Sequence, residues 1–292
     1  MAAVWLEYDQ EALDAQYNNR LAVPTVQNHF DNWKAWSAGT REALNCRLNQ
    51  SYGRTGAEKL NIFPAPRGNA PIQLFVHGGY WQSMDKSDFD YIAEGLAPLG
   101  ANVLVVNYGL APNVGMDDIV RQIRSACAWA WRNAKDFNGD PNRIFISGHS
   151  AGAHLAAMAA LTDWQAFDPE LPPDLVKGAC CVSGIYELEP IRLSYLNANL
   201  QLDPQSAARN SPLQILREDK RRLPPASMVL CVGGDESAEF KRQQEAFGAA
   251  WTGRGLACEV IPRPGLHHFN VIDELADLDS PLNLAVLRQM GL

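Results

Sequence analysis

Short unbroken apolar runs recur along this chain, each closed by a turn-forming residue. They are "PIQLFVH" (71–77), "ANVLVVNY" (101–108), "RIFIS" (143–147), "VKGACCVSG" (176–184), "ASMVLCVGG" (226–234) and "LACEVIP" (256–262). Runs of this length without polar alternation read as strands buried on both faces. Between them the period changes. "MDDIVRQIRSACAWAWRNA" (116–134) spaces its apolar residues as a helix does and opens with acids, as a helix N-terminus favours. "AHLAAMAAL" (153–161), "SAEFKRQQEAFGAAWTGRG" (237–255) and the start of "FNVIDELAD" (269–277) also read as helical. Strands alternating with helices predict an α/β fold: a mostly parallel, doubly wound sheet with helices on both faces. Two regions depart from the alternation. About residues 1–50 read as a mostly helical, aromatic-rich segment, and about 185–224, rich in Asn, Pro and Leu, as a small helical cap inserted over the sheet edge.

Composition narrows the class. The 292 residues are 47% hydrophobic and 20% charged, enough for a full core in one large domain spanning 1–292. The net charge is -8, with no basic patch, which argues against a nucleic-acid partner. The first 16 residues carry early acids and no apolar core of a signal peptide, and no run reaches membrane-spanning length. The six cysteines fit free, mostly buried thiols in a reducing compartment, so the expectation is cytoplasmic. A homodimer is carried as an open expectation.

In doubly wound sheets function gathers where strands end at their C-termini. At one such end stands "GHSAG" (148–152), a serine between two glycines where a strand passes into a helix. A serine hydroxyl needs a base to take its proton, and the base needs an orienting acid. A tight strand-to-helix turn offers Ser150 the helix dipole and the amide of Ala151, and it requires Gly148 and Gly152 to have no side chain. Upstream, "LFVHGGYW" (74–81) supplies the glycine-rich loop that acyl transfer uses to stabilise an oxyanion, with Gly78 and Gly79 free to turn backbone amides inward. Of the six histidines, His149 is expected to point away from the serine beside it, and His154 to be packed or capping. After the last strand either His267 or His268 would serve as base, and after "VLCVGG" either Asp235 or Glu236 as acid. The histidines do not show metal-ligand spacing, and neither metal nor cofactor is expected.

With these motifs in place the chain resembles an α/β-hydrolase of the kynurenine formamidase (arylformamidase) group. "HGGYW" is similar to that group's oxyanion motif and "GHSAGAHLA" to its elbow. "QYNNRLAVP", "SGIYELEPI", "ESAEFKRQ" and "HHFNVIDEL" resemble further blocks, so the likeness spans about residues 10 to 280. The resemblance implies that the base directly precedes Phe, hence His268. It places the acid six residues before the Arg242-Gln243 pair, hence Glu236, although Asp is commoner in the group and Asp235 stands adjacent. It further implies a small-molecule substrate. Ser150 would attack, the amides of Gly79, Tyr80 and Ala151 would hold the oxyanion, and Tyr80 and Trp81 would contact substrate. The activity implied is cleavage of N-formyl-L-kynurenine to L-kynurenine and formate. A carboxylesterase for small acyl or aryl esters is the alternative, and a non-catalytic receptor or interaction module the remote one.

Overall fold

The computed structural model describes residues 2–292 and contains one eight-stranded sheet. Its strands are β1 (Arg47–Ser51), β2 (Lys59–Phe63), β3 (Ala70–Val76), β4 (Asn102–Val106), β5 (Gly139–His149), β6 (Val176–Val182), β7 (Ser227–Gly233) and β8 (Cys258–Arg263), in the order β1-β2-β4-β3-β5-β6-β7-β8. β1 and β2 are antiparallel to their neighbours, and every other pairing is parallel. This is the mostly parallel sheet that the strand and helix pattern predicts, and the α/β-hydrolase arrangement that the resemblance implies.

The strand side chains alternate between two cores. Leu74, Val76, Leu104 and Ile146 face one side, covered by the helices Met116–Asn133, Ala151–Ala160 and Ala238–Gly253. Phe75, Val103, Val105 and Phe145 face the other, covered by Val26–Ala43 and Pro281–Met290. Burial on both faces is why these strands are apolar without a break.

Three differences from expectation have local causes. Residues 1–50 do not stay helical, because β1 occupies Arg47–Ser51, and β2 follows it. Both strands are interrupted by polar residues. Buried Asn61 of β2 accepts from Asn49 N (2.9 Å) and donates to the Asp90 carboxylate (2.9 Å), partners that only the folded chain supplies. "FNVIDELAD" forms a short 3-10 turn, Val271–Leu275, and the closing helix begins only at Pro281, capped by Ser280. Residues 185–224 hold four short helices, Glu189–Leu193, Asn197–Leu200, Pro204–Arg209 and Pro212–Glu218, lying over the C-terminal ends of the strands.

The N-terminal helices close the same end of the molecule. Tyr17 is buried and its hydroxyl donates to Glu239 (2.9 Å) while accepting from Gln243 (2.9 Å). Gln243 in turn accepts from the backbone of Tyr186 and Glu187 (2.6 and 2.9 Å), joining the N-terminal segment, the helix Ala238–Gly253 and the start of the cap. Cys127, Cys180, Cys181 and Cys231 are buried free thiols, held protonated by burial. Among the described residues, no helix is long and apolar enough to cross a membrane.

The two-core description is checked by a pair of substitutions. Leu74→Ala, at a fully buried position of β3, is expected to cost about 2–5 kcal/mol. Val260→Ala, half-exposed on the edge strand β8, is expected to cost about 0.5 kcal/mol or less. Urea midpoints measure both, and equal losses would contradict the assigned core.

Candidate active site

The six parallel strands β3 to β8 all end at one edge of the sheet. β5 runs straight into Ser150, which sits at φ 57°, ψ -119°, a strained left-handed conformation. Its amide donates to Val182 O at the end of β6 (2.8 Å), so the turn is clamped to the neighbouring strand. The turn closes only because two side chains are missing. A Cβ on Gly148 would lie 2.1 Å from Gly152 O, and one on Gly152 would lie 2.0 Å from Val76 O. Real atoms do not approach that closely, so the helix Ala151–Ala160 lies against β3 at a distance only glycine permits.

The loop after β3 wraps the other side of the serine. A Cβ on Gly78 would meet Ser150 Cβ at 3.1 Å. Gly79, Tyr80 and Trp81 all have positive φ, at 100°, 49° and 59°, which turns the chain sharply around the serine. Among the described residues, no protein acceptor receives the amides of Gly79, Tyr80 or Ala151. Gly78 itself is buried, and its carbonyl accepts from His77 Nδ1 (2.8 Å) and the Tyr108 hydroxyl (3.3 Å). It braces the loop and lies outside the lining of the cavity.

Glu236 and His268 form a buried pair beside the serine. The His268 Nδ1–H donates to Glu236 Oε2 at 2.7 Å, which leaves Nε2 as the free acceptor nitrogen. The second carboxylate oxygen accepts from Ser183 Oγ (2.5 Å) and from Gly233 N (2.8 Å). A buried carboxylate needs such partners to be tolerated at all. Asp235 is exposed and its side chain makes no hydrogen bond among the described residues, so the alternative acid does not reach the histidine. The physical reason lies in the turn after β7, where consecutive side chains diverge. His267 is half-buried and turned toward His29, with ring centroids 5.0 Å apart, and it takes no part in the pair.

Two expectations need correction. His149 does not point away from the site. Its ring packs on His268 (centroids 4.7 Å apart), its Nε2–H donates to His268 O (2.8 Å), and it lines the cavity. Burial, and next the neighbouring His268, push its pKa well down, so it stays neutral. Trp81 does not reach the cavity. It is fully buried, and its indole N–H donates to His154 Nδ1 (3.2 Å). His154 passes that bond on from Nε2–H to Asn210 O (2.7 Å) in the cap, a packed role as expected, with burial lowering its pKa to about 4.

Ser150, His268, His149, Gly79 and Tyr80 face a cavity of about 480 Å3, a size ordinary for small-molecule sites. Sequence reasoning missed most of its outer wall. Phe30 and Trp33 come from the helix Val26–Ala43, Tyr195 from the cap, and Asn18 and Arg20 from the N-terminal segment. Trp33 is oriented by its Nε1–H bond to Asp273 (2.7 Å). Asn18 and Arg20 fall in the "QYNNRLAVP" block, which has no chemical pattern of its own, and Phe30 and Trp33 were visible only as part of an aromatic-rich segment. Among the described residues, no group of three or more His, Cys, Asp or Glu side chains is arranged to hold a metal ion.

The family profile described as BD-FAE matches residues 60–219. The chain is 33% identical to the kynurenine formamidase of Salmo salar, over 98% of this chain and 96% of that one. Over 47% of its length, and 35% of the relative's, it is 36% identical to the esterase LipQ of Mycobacterium tuberculosis. A solved structure of a candidate thioesterase from Silicibacter sp. superposes with a TM-score of 0.80 at 30% identity, covering 94% of this chain and 98% of that one.

The closeness of the elbow is testable without any substrate. Gly152→Ala is expected to abolish soluble folded protein or lower Tm sharply. Gly39→Ala, in a helix with open space around the added methyl, is expected to leave Tm unchanged or raise it, by about 0.5–1 kcal/mol of helix preference. Equal Tm values for the two variants would contradict the packing described.

Proposed function

Because this chain belongs to the kynurenine formamidase family of α/β-hydrolases, we propose that it hydrolyses N-formyl-L-kynurenine to L-kynurenine and formate with Ser150 as nucleophile. The observation that carries the reading is the buried line from Ser183 through Glu236 to His268, which lines one aromatic-walled cavity together with a serine at φ 57°.

In the proposed cycle His268 Nε2 takes the Ser150 proton as Oγ attacks the formyl carbon. Glu236 holds the imidazole in the tautomer that leaves Nε2 free and stabilises the imidazolium that forms. The carbonyl oxygen becomes an oxyanion and accepts from the amides of Gly79, Tyr80 and Ala151. As the tetrahedral intermediate collapses, His268 gives its proton to the aniline nitrogen, and the C–N bond breaks. Water, deprotonated by His268, then attacks the formyl ester of Ser150. Formate leaves and the serine hydroxyl is restored. Each protonation uses the one free imidazole nitrogen, so no further acid is needed. The free thiols favour action in a reducing compartment such as the cytoplasm.

The same machinery would cleave small esters, and the match to the esterase LipQ supports that second reading. What favours the formamide is the family to which the full chain belongs, together with a wall of aromatic rings suited to an aryl leaving group.

Ser150→Ala is expected to fold normally, to lose turnover by roughly 10³-fold or more, and to lose labelling by an organophosphonate. Glu236→Gln is expected to lower kcat by about 10⁴-fold, while Asp235→Asn stays near the parent. Retained turnover in Ser150→Ala, or the reverse ranking of the acids, would contradict the roles assigned. For the substrate, kcat/KM for N-formylkynurenine is expected to stand well above that for simple alkyl amides. Aryl ester turnover is expected to fall as the acyl chain passes about four carbons, through a steric wall, since lost contact alone is worth about 1–3 kcal/mol per methylene. Butyryl and hexanoyl esters outperforming acetyl, with no formylkynurenine turnover, would install the carboxylesterase reading.

A further inference from the structure

Arg20 is the only side chain of permanent charge lining the cavity among the described residues. It makes no ion pair and no hydrogen bond with any described residue. The chain carries 33 acidic against 25 basic residues, and arginines such as Arg41, Arg121, Arg209 and Arg242 are engaged by carboxylates. Arg20 instead lies over the face of Phe30, 5.4 Å from the ring centroid, and Phe30 is itself cavity wall. A guanidinium held by its face keeps its in-plane N–H donors unspent.

The backbone beneath it is held in place. Asn18 Oδ1 caps the short turn Asn19–Ala22 by accepting from Leu21 N (3.2 Å). Tyr17 O accepts from the Tyr80 hydroxyl (2.7 Å), and Asn19 Nδ2 donates to that same hydroxyl (3.3 Å). Arg20 is therefore tied, through two neighbours, to the loop after β3 that wraps Ser150. A cation with free donors, lining the same cavity as Ser150 and His268 and beside the rings of Phe30 and Trp33, suits a ligand that carries an acyl group, an aryl ring and an anion.

We propose that Arg20 is the specificity-determining residue that binds the substrate's carboxylate, so that the enzyme selects aryl formamides carrying an amino-acid tail over neutral ones. The inference rests on the formamidase reading above and deepens it. The guanidinium fork matches a carboxylate through two parallel N–H···O bonds. The carboxylate takes no part in breaking the C–N bond, so the contact is made equally in the bound substrate and the transition state and its loss appears in KM more than in kcat.

The test compares the parent, Arg20→Gln and Arg20→Lys on two substrates: N-formyl-L-kynurenine, and 2-formamidoacetophenone, which has the same aryl formamide with a methyl group replacing the amino-acid tail. Arg20 is exposed and unbonded, so both variants are expected to fold, with Tm as the check. The parent is expected to prefer the carboxylate-bearing substrate. Arg20→Gln is expected to lower the ratio of kcat/KM between the two by about 10- to 100-fold, mainly through KM, as for a lost charge-assisted bond. Arg20→Lys is expected to restore part of the ratio. L-kynurenine, as a competitive inhibitor of aryl acetate hydrolysis, is expected to weaken in parallel. If the parent cleaves both formamides without preference, or Arg20→Gln lowers both alike, the Arg20 assignment is overturned and the formamidase reading stands. If the parent cleaves neither formamide while cleaving aryl acetates, the formamidase reading itself fails and takes the carboxylate assignment with it.

Discussion

The site depends on one close approach, that of the helix Ala151–Ala160 to β3 across Gly152. The added atom of any other residue would sit 2.0 Å from the Val76 carbonyl. That contact fixes where the helix begins, and hence the position of Ser150 and the direction of the Ala151 amide. It also sets the space left for the loop after β3, whose Gly78 lies against the serine. The cost is a non-glycine residue at φ 57°, of order 1–3 kcal/mol, which persists only because the surroundings over-determine it. Here they are the Ser150 amide bond to Val182 O and the fully buried helix behind it.

Around this fixed point the polar groups are arranged by the needs of a buried carboxylate. Glu236 cannot be left unpaired in an apolar setting, and it takes three donors: His268, Ser183 and the amide of Gly233. Those bonds settle the histidine tautomer. His149 adds a second constraint by donating to the His268 carbonyl. Because burial keeps His149 neutral, the ring in contact with His268 sets no like charge beside it.

The cavity is completed by parts of the chain outside the sheet. Tyr17 latches the N-terminal segment to Glu239 and Gln243, and its carbonyl holds the Tyr80 hydroxyl. The cap is tied down through His154 to Asn210 and through Gln82 to Asn199. The reacting groups thus stand on rigid strand ends, while the groups that meet the rest of a ligand stand on segments whose placement is itself secured by hydrogen bonds. Such a division lets one reaction core serve different leaving groups.

The central strands were legible in the sequence because burial on both faces leaves an unbroken apolar run, and the elbow because a steric rule forces glycine at two positions. Both signals are local. β1 and β2 were not legible, because Asn61 looks polar until Asp90 and Asn49 are brought to it. The family spacing pointed to Glu236 over Asp235, and in three dimensions the turn after β7 aims Glu236 inward onto His268 and leaves Asp235 exposed. Tertiary structure alone placed His149 on His268, withdrew Trp81 into the core, and brought Arg20, Phe30 and Tyr195 to one cavity. The sequence by itself determined where the central strands end and which candidate residues stand there, since these follow from hydrophobicity and backbone sterics over a few residues. What surrounds the reacting group is assembled from segments more than a hundred residues apart, and no short-range pattern encodes contacts that exist only once the chain has closed.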